Sequence, residues 1–134
     1  MSMEKETTQE AQMITAARVA QIIYRYGVSA VFNTYASESY SETTGKVTRS
    51  GLTAHTVTVT PPNADGSIVK QFGPIDGVTD AALFSVVAAQ GLTFEPAVGQ
   101  EFVWDSRTWV VTWTSPVRGP SGVLAYQFGI KGKA

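Results

Sequence analysis

Between Gly99 and Lys131, apolar and polar residues alternate with a period of two. Phe102 and Trp104 flank Val103, and Trp109, Val111 and Trp113 keep the same period after Asp105-Ser106. The pattern predicts a β-hairpin turning at Asp105-Ser106 or at Ser106-Arg107. Either turn leaves Phe102, Trp104, Trp109, Val111 and Trp113 on one face. A second turn, Arg118–Gly122, leads into Val123–Ile130, where Leu124, Tyr126, Phe128 and Ile130 alternate with Val123, Ala125, Gln127 and Gly129. These strands hold all three tryptophans and two of the six phenylalanines. The meander is the expected wall of the domain, with Tyr126 and Phe128 joining the hairpin residues in its core.

Upstream, the pattern changes to a helical one. Residues 1–8 read as a polar arm, and Thr7 with Glu10 has the spacing of a capping box. A helix is predicted over 9–26, with Met13, Ala16, Ala17, Ala20, Ile23 and Tyr24 inward and Gly27 ending it as a left-handed residue. Ile14, Val19 and Ile22 lie outside that stripe, so the helix packs on its own sheet and leaves room for contact with a neighbouring subunit. Val28–Tyr35 is predicted as the first strand and 36–45 as a polar turn region. A second strand over 46–60, bulged near Gly51, ends in the alternation His55–Thr60. Ala81–Ala89 is apolar on both faces, and its short length and its Val, Leu and Phe predict a strand covered on both sides.

These elements predict one domain over 1–134. It is mainly β, a small antiparallel β-barrel or sandwich of about six strands over 28–131, with one N-terminal α-helix and a long loop.

That loop, 61–79, holds three prolines and three glycines. Loops of this length are usually functional or disordered. Ile68, Val69 and Phe72 interrupt its polarity, so the segment is expected to order against a partner. Asp65, Ile68, Val69, Lys70, Phe72 and Asp76 are its candidate contact residues.

Composition narrows the function. Of 134 residues, 43% are hydrophobic and only 16% charged, below the roughly 25% of ordinary soluble domains, which points to surface covered by partners. With no cysteine, disulfides and thiolate metal sites are excluded. A net charge of −1 argues against tight sequence-independent nucleic-acid binding. No apolar run is long enough to span a bilayer, and the acidic N-terminus does not read as a signal peptide, so a soluble protein without membrane contact is expected.

Catalytic chemistry finds little support. The single histidine, His55, sits in a Thr/Val strand and reads as a half-exposed strand residue. There is no Gly-rich phosphate loop with its lysine. Asp65, Asp76 and Asp80 lack metal-ligand spacing and read as turn formers. Trp104 and Arg107 are placed for a structural cation–π pair. The aromatic face reads as core rather than as a platform for a single strand or a sugar. No enzyme, no cofactor and no metal is the expectation.

The order of elements carries a resemblance. A helix (AARVAQIIYRYG), a strand, an SETTGKVTRSG turn, a Thr/Val strand, a Pro-rich loop and an Ala/Leu/Val strand precede LTFEPAVGQEFVWDSRTWVVTWTSPVRGPSGVLAYQFGIKG. Pro96-x-x-Gly99-x-x-Phe102, Asp105-Ser106, Trp109, Pro116 and Val123-x-x-Tyr126 are its most telling positions. The layout resembles the head-closure (stopper, or head–tail joining) proteins of tailed bacteriophages over roughly Thr15 to Lys131. That family often has Gly-Asp where this chain has Gly99-Gln100. The resemblance implies a structural virion protein of the neck, made in the host cytoplasm and assembled as a homo-oligomeric ring. It would lie between portal or adaptor proteins and the tail terminator or tail tube, touching packaged DNA non-specifically and using the 61–79 loop as gate. A tail-terminator ring and a small β-barrel ligand- or nucleic-acid-binding module are the alternatives.

Overall fold

In the computed structural model, residues 15–75, 77–78, 80–120 and 122–133 are described. The polar arm and the Thr7–Glu10 capping box lie outside them. Helix α1 runs over Ala16–Tyr26, capped by Thr15, whose Oγ1 accepts from the Arg18 amide at 3.3 Å. Six strands follow: β1 (Val28–Tyr40), β2 (Val47–Val59), β3 (Leu83–Ala88), β4 (Glu101–Trp104), β5 (Arg107–Gly119) and β6 (Gly122–Gly132). All neighbours are antiparallel, and the order β1-β2-β3-β6-β5-β4 closes into a barrel.

The barrel interior is aromatic. Phe32 has its ring 4.9 Å from Phe102, 5.0 Å from Phe128 and 5.2 Å from Phe94, and the cluster continues into Trp109, Val111 and Ile130. Trp104 and Tyr126 pack half-buried at its margin. The β4–β5 turn is Asp105-Ser106, both residues with φ near +55°, as a tight hairpin turn of right-handed twist requires. Arg107 stacks on Trp109, 4.7 Å from the ring centroid, rather than on Trp104.

Trp113 departs from the one-face expectation. A register shift between Val111 and Trp113 inserts one extra residue, so the alternation resets. Trp113 then stands opposite Gly129, as Phe84 does from the other side, and meets the Phe84 ring edge-on at 6.0 Å on the outer wall.

A second apolar layer covers the outside of β3 and β6. Val86, Ala88, Leu124 and Ala125 meet Val19, Ala20 and Ile23 of α1, so β3 is covered on both faces as its sequence predicts. The buried helix stripe is rotated from the expected one. Val19 is inside, whereas Ala17 and Tyr24 are exposed. Gly27 is extended (φ −86°, ψ 177°) and not left-handed. Its smallness is needed for another reason, since a Cβ there would lie 2.4 Å from the Ile23 carbonyl oxygen and 2.6 Å from that of Val59.

The long loop also departs from expectation. Val69 is fully buried in the outer apolar layer of its own chain, with Phe72 and Ile75 half-buried beside it. A single 3-10 turn over Val69–Gln71 forms there. The Gln127 side chain from β6 donates to the carbonyls of Val69 (3.0 Å) and Gly73 (2.8 Å) and pins the loop to the wall.

Candidate functional site

One element projects from this barrel. β1 pairs with β4 only at Val31–Asn33, and β2 pairs with β3 only at Val59. Beyond those points β1 and β2 pair with each other alone, through Tyr35↔Leu52, Ser37↔Ser50, Glu38↔Arg49 and Tyr40↔Val47. The first strand thus runs through 36–40, which the sequence had placed in the turn. The register is the same on both sides of Gly51, but the ladder skips the Ala36/Gly51 pair, so the irregularity expected there takes the form of a local break rather than an inserted residue. Gly51 has φ +73°, and a Cβ built on it would lie 2.6 Å from that of Ala36. At about 3.3 Å per residue, strand residues 34–40 carry this tongue roughly 20 Å past the β4 contact.

The tip is a compact turn. Ser41 donates its amide to the Lys46 carbonyl at 2.9 Å, and the Gly45 amide reaches the Ser41 carbonyl at 2.7 Å with Gly45 at φ +67°. The tongue exposes Tyr40 (65%), Val47 (57%) and Leu52 (57%). Scattered exposed apolar residues are ordinary, but three on one two-stranded projection form an apolar surface with no core behind it.

Its root is braced by polar groups. Glu101 on β4 is buried, and its carboxylate accepts from the Tyr35 hydroxyl and from the Lys133 ammonium. Arg49 bonds Glu38 at 2.9 Å and lies 5.3 Å from the Tyr35 ring centroid, continuing the chain of contacts up the tongue. The Lys133 and Tyr35 bonds hold the Glu101 carboxyl below the usual carboxylate range. Donation to Glu101 holds the Tyr35 hydroxyl above the usual phenol range. On the barrel-facing side, His55 stacks on Phe94 at 4.3 Å, with its ring nitrogens 2.9 Å from the Thr34 hydroxyl and 3.3 Å from that of Thr93.

The Glu101 brace has a pH signature. A carboxyl whose folded pKa is depressed stabilises the fold above its unfolded pKa, about 4.3, and loses that contribution as pH falls through the folded value. Urea midpoints should therefore drop on acidification below about pH 4.5, and Glu101→Gln should flatten that slope. A variant with the parent's acid slope would exclude Glu101 as its source.

The residues singled out from the sequence do not converge. In the loop, Val69 is buried, Ile68 and Phe72 are half-buried, Asp65 and Lys70 are exposed, and Asp76 lies outside the described residues. Asp65 is a turn former, accepting the Ser67 amide at 2.8 Å, and this bond holds its carboxyl below the usual range. Asp80 pairs with Lys131 at 2.6 Å. Among the described residues, no three His, Asp or Glu side chains are grouped to hold a metal ion. Trp109 and Trp113 are only 7% and 8% exposed, so they offer no ligand platform. A groove of about 550 Å³ lies between α1 and the β5–β6 turn. Val19, Ile22, Phe72 and Leu124 line it with Arg18 and Arg118, and no nucleophile or acid–base pair faces it.

Sequence reasoning missed Tyr35, Glu38, Tyr40, Val47, Arg49, Leu52 and Glu101. The available signal was the Thr/Ser-rich alternation from Thr48 to Thr58, which continues too far for a strand that must end at the barrel rim. No described helix is long and apolar enough to cross a membrane. Compared with known proteins, the chain matches no family model and no curated protein.

Proposed function

We propose that this chain is a structural subunit of a tailed-phage neck, a ring-forming head-closure protein that retains packaged DNA and docks the tail. The observation that carries the reading is the tongue. A subunit that works alone gains nothing from a two-stranded projection with Tyr40, Val47 and Leu52 in water. A subunit in a ring covers them with its neighbours and directs the tips toward the axis. The low charged share, 16%, and the layout of elements support the same reading.

The tongue, rather than the 61–79 loop, is the part with the reach to close a channel, because Gln127 ties the loop to the wall. Its charges also suit a gate. Glu38 and Glu42 balance Lys46 and Arg49, two against two, so the tip does not hold DNA that must later leave. Portal or adaptor proteins would sit on one side of the ring and tail proteins on the other. The chemistry is mechanical and electrostatic, with no catalytic step.

Replacing residues 38–49 by a short turn is the test. The isolated subunit should keep its melting temperature within about 2 °C, since the deleted part packs on no core. Particles carrying it should fill and then leak DNA. Shortened particles that retain DNA and accept tails would remove the tongue from the closure role. A particle map with this chain on the tail tube alone would favour a tail terminator.

A further inference from the structure

The tongue has two open backbone edges, and their geometry defines a partner. In an antiparallel ladder, hydrogen-bonded and non-hydrogen-bonded pairs alternate. The Ser41 amide bonds the Lys46 carbonyl at 2.9 Å, so near the tip the pairs whose N–H and C=O point outward are Tyr40/Val47 and Glu38/Arg49. At the barrel end the alternation is reset: the Thr60 amide bonds the Val86 carbonyl at 3.0 Å, so Thr60 rather than Val59 points toward β3, and the ladder skips the Ala36/Gly51 pair, where Gly51 has φ +73°. Among the described residues, no backbone bond to another element reaches the outward groups of 36–40 or 47–53.

We infer that these edges join tongue to tongue, the β1 edge of one copy against the β2 edge of the next, giving a continuous antiparallel sheet of tongues around the ring. The inference rests on the ring reading above and deepens it. Rotation about a ring axis brings the descending β2 of one hairpin beside the ascending β1 of its neighbour, so the contact is antiparallel without further adjustment. The charges are complementary across that contact. β1 carries Glu38 and β2 carries Arg49, both at outward-pairing positions and already 2.9 Å apart within one hairpin. A β1-to-β2 junction can therefore continue alternating Glu38 and Arg49, whereas β1-to-β1 or β2-to-β2 contacts set like charges near each other. The two edges differ, so the contact is heterologous and closes into a ring rather than a dimer. The usual edge protections are also weak, because no proline lies in 36–40 or 47–53 and the ladder runs without a gap from Ser37↔Ser50 to Tyr40↔Val47.

Proline at an outward-pointing amide blocks one edge while leaving the tongue's own ladder intact. Tyr40→Pro closes the β1 edge and Val47→Pro closes the β2 edge. By sedimentation, the purified parent should form oligomers larger than dimers, and each variant alone should associate at least about tenfold more weakly. A one-to-one mixture of the two should regain parent-strength association yet stop at two chains, since each supplies the edge that the other lacks. That heterodimer also proves that both variants fold. Rings that persist in both variants would overturn the edge pairing and leave the ring reading standing. A variant that dimerises alone would overturn the heterologous contact. A parent that remains monomeric at about 1 mM would overturn both readings.

Discussion

Phe32→Ala should destabilise the barrel by about 3–5 kcal/mol, a large share of the 5–15 kcal/mol that holds a typical domain folded. The Phe32 ring is fully buried and makes close ring contacts with Phe94, Phe102 and Phe128, contributed by three separate segments. Removing it costs the transfer of the ring and leaves a cavity that the closed barrel cannot collapse around. Urea denaturation should show a lower midpoint with an unchanged slope. A loss below about 1 kcal/mol would mean that the interior is not packed around this ring.

Gln127→Ala should cost about 2–4 kcal/mol, with its effect centred on the 61–75 loop. The Gln127 side chain is 2% exposed and satisfies two carbonyls, those of Val69 and Gly73. Truncation removes the Gln127 donor from the Gly73 carbonyl and leaves the Val69 carbonyl with the Phe72 amide alone, and a lost donor costs about 1–3 kcal/mol where water cannot enter. Gln127→Glu should fare no better at neutral pH, because a carboxylate has nothing to donate and repels both oxygens. Hydrogen exchange should accelerate at Lys70, Gln71 and Phe72, whose amides bond Gly66, Ile68 and Val69, before the barrel strands respond. Unchanged protection there would show that buried Val69 alone holds the loop.

The two parts of the molecule differ in how far they could be read from sequence. The β4–β5 hairpin and β6 were legible because alternation is local, and Asp105-Ser106 suits a turn with both φ positive. Trp113 was not, because a single inserted residue after Val111 reverses the alternation without any sequence signature. The helix end at Tyr26 was legible, but its inward face was set by the outer wall of β3 and β6, which periodicity cannot locate. The loop looked unanchored because its partner, Gln127, lies more than fifty residues away in the chain. The length of the tongue was hidden for a related reason. Ser37, Glu38 and Ser39 are poor strand formers, and they stay extended because Thr48, Arg49 and Ser50 stand opposite. Glu101 gave no sign of burial, since its partners Tyr35 and Lys133 come from opposite ends of the chain.

The seam between β2 and β3 makes the barrel mechanically anisotropic. Only Val59↔Val87 joins these strands as a regular ladder pair. The line continues through Thr60, whose amide bonds Val86 and whose carbonyl accepts the Ser85 hydroxyl, and through the isolated Asn63↔Phe84 bridge. The β1–β2 and β5–β6 ladders are far longer. A load applied at the tongue tip runs down β1 into β4 and down β2 into this seam. The long ladders lie parallel to the pull and resist it in shear, with many bonds bearing at once. The seam, with few bonds in its line, is where the wall parts first, like a zipper opened from one end.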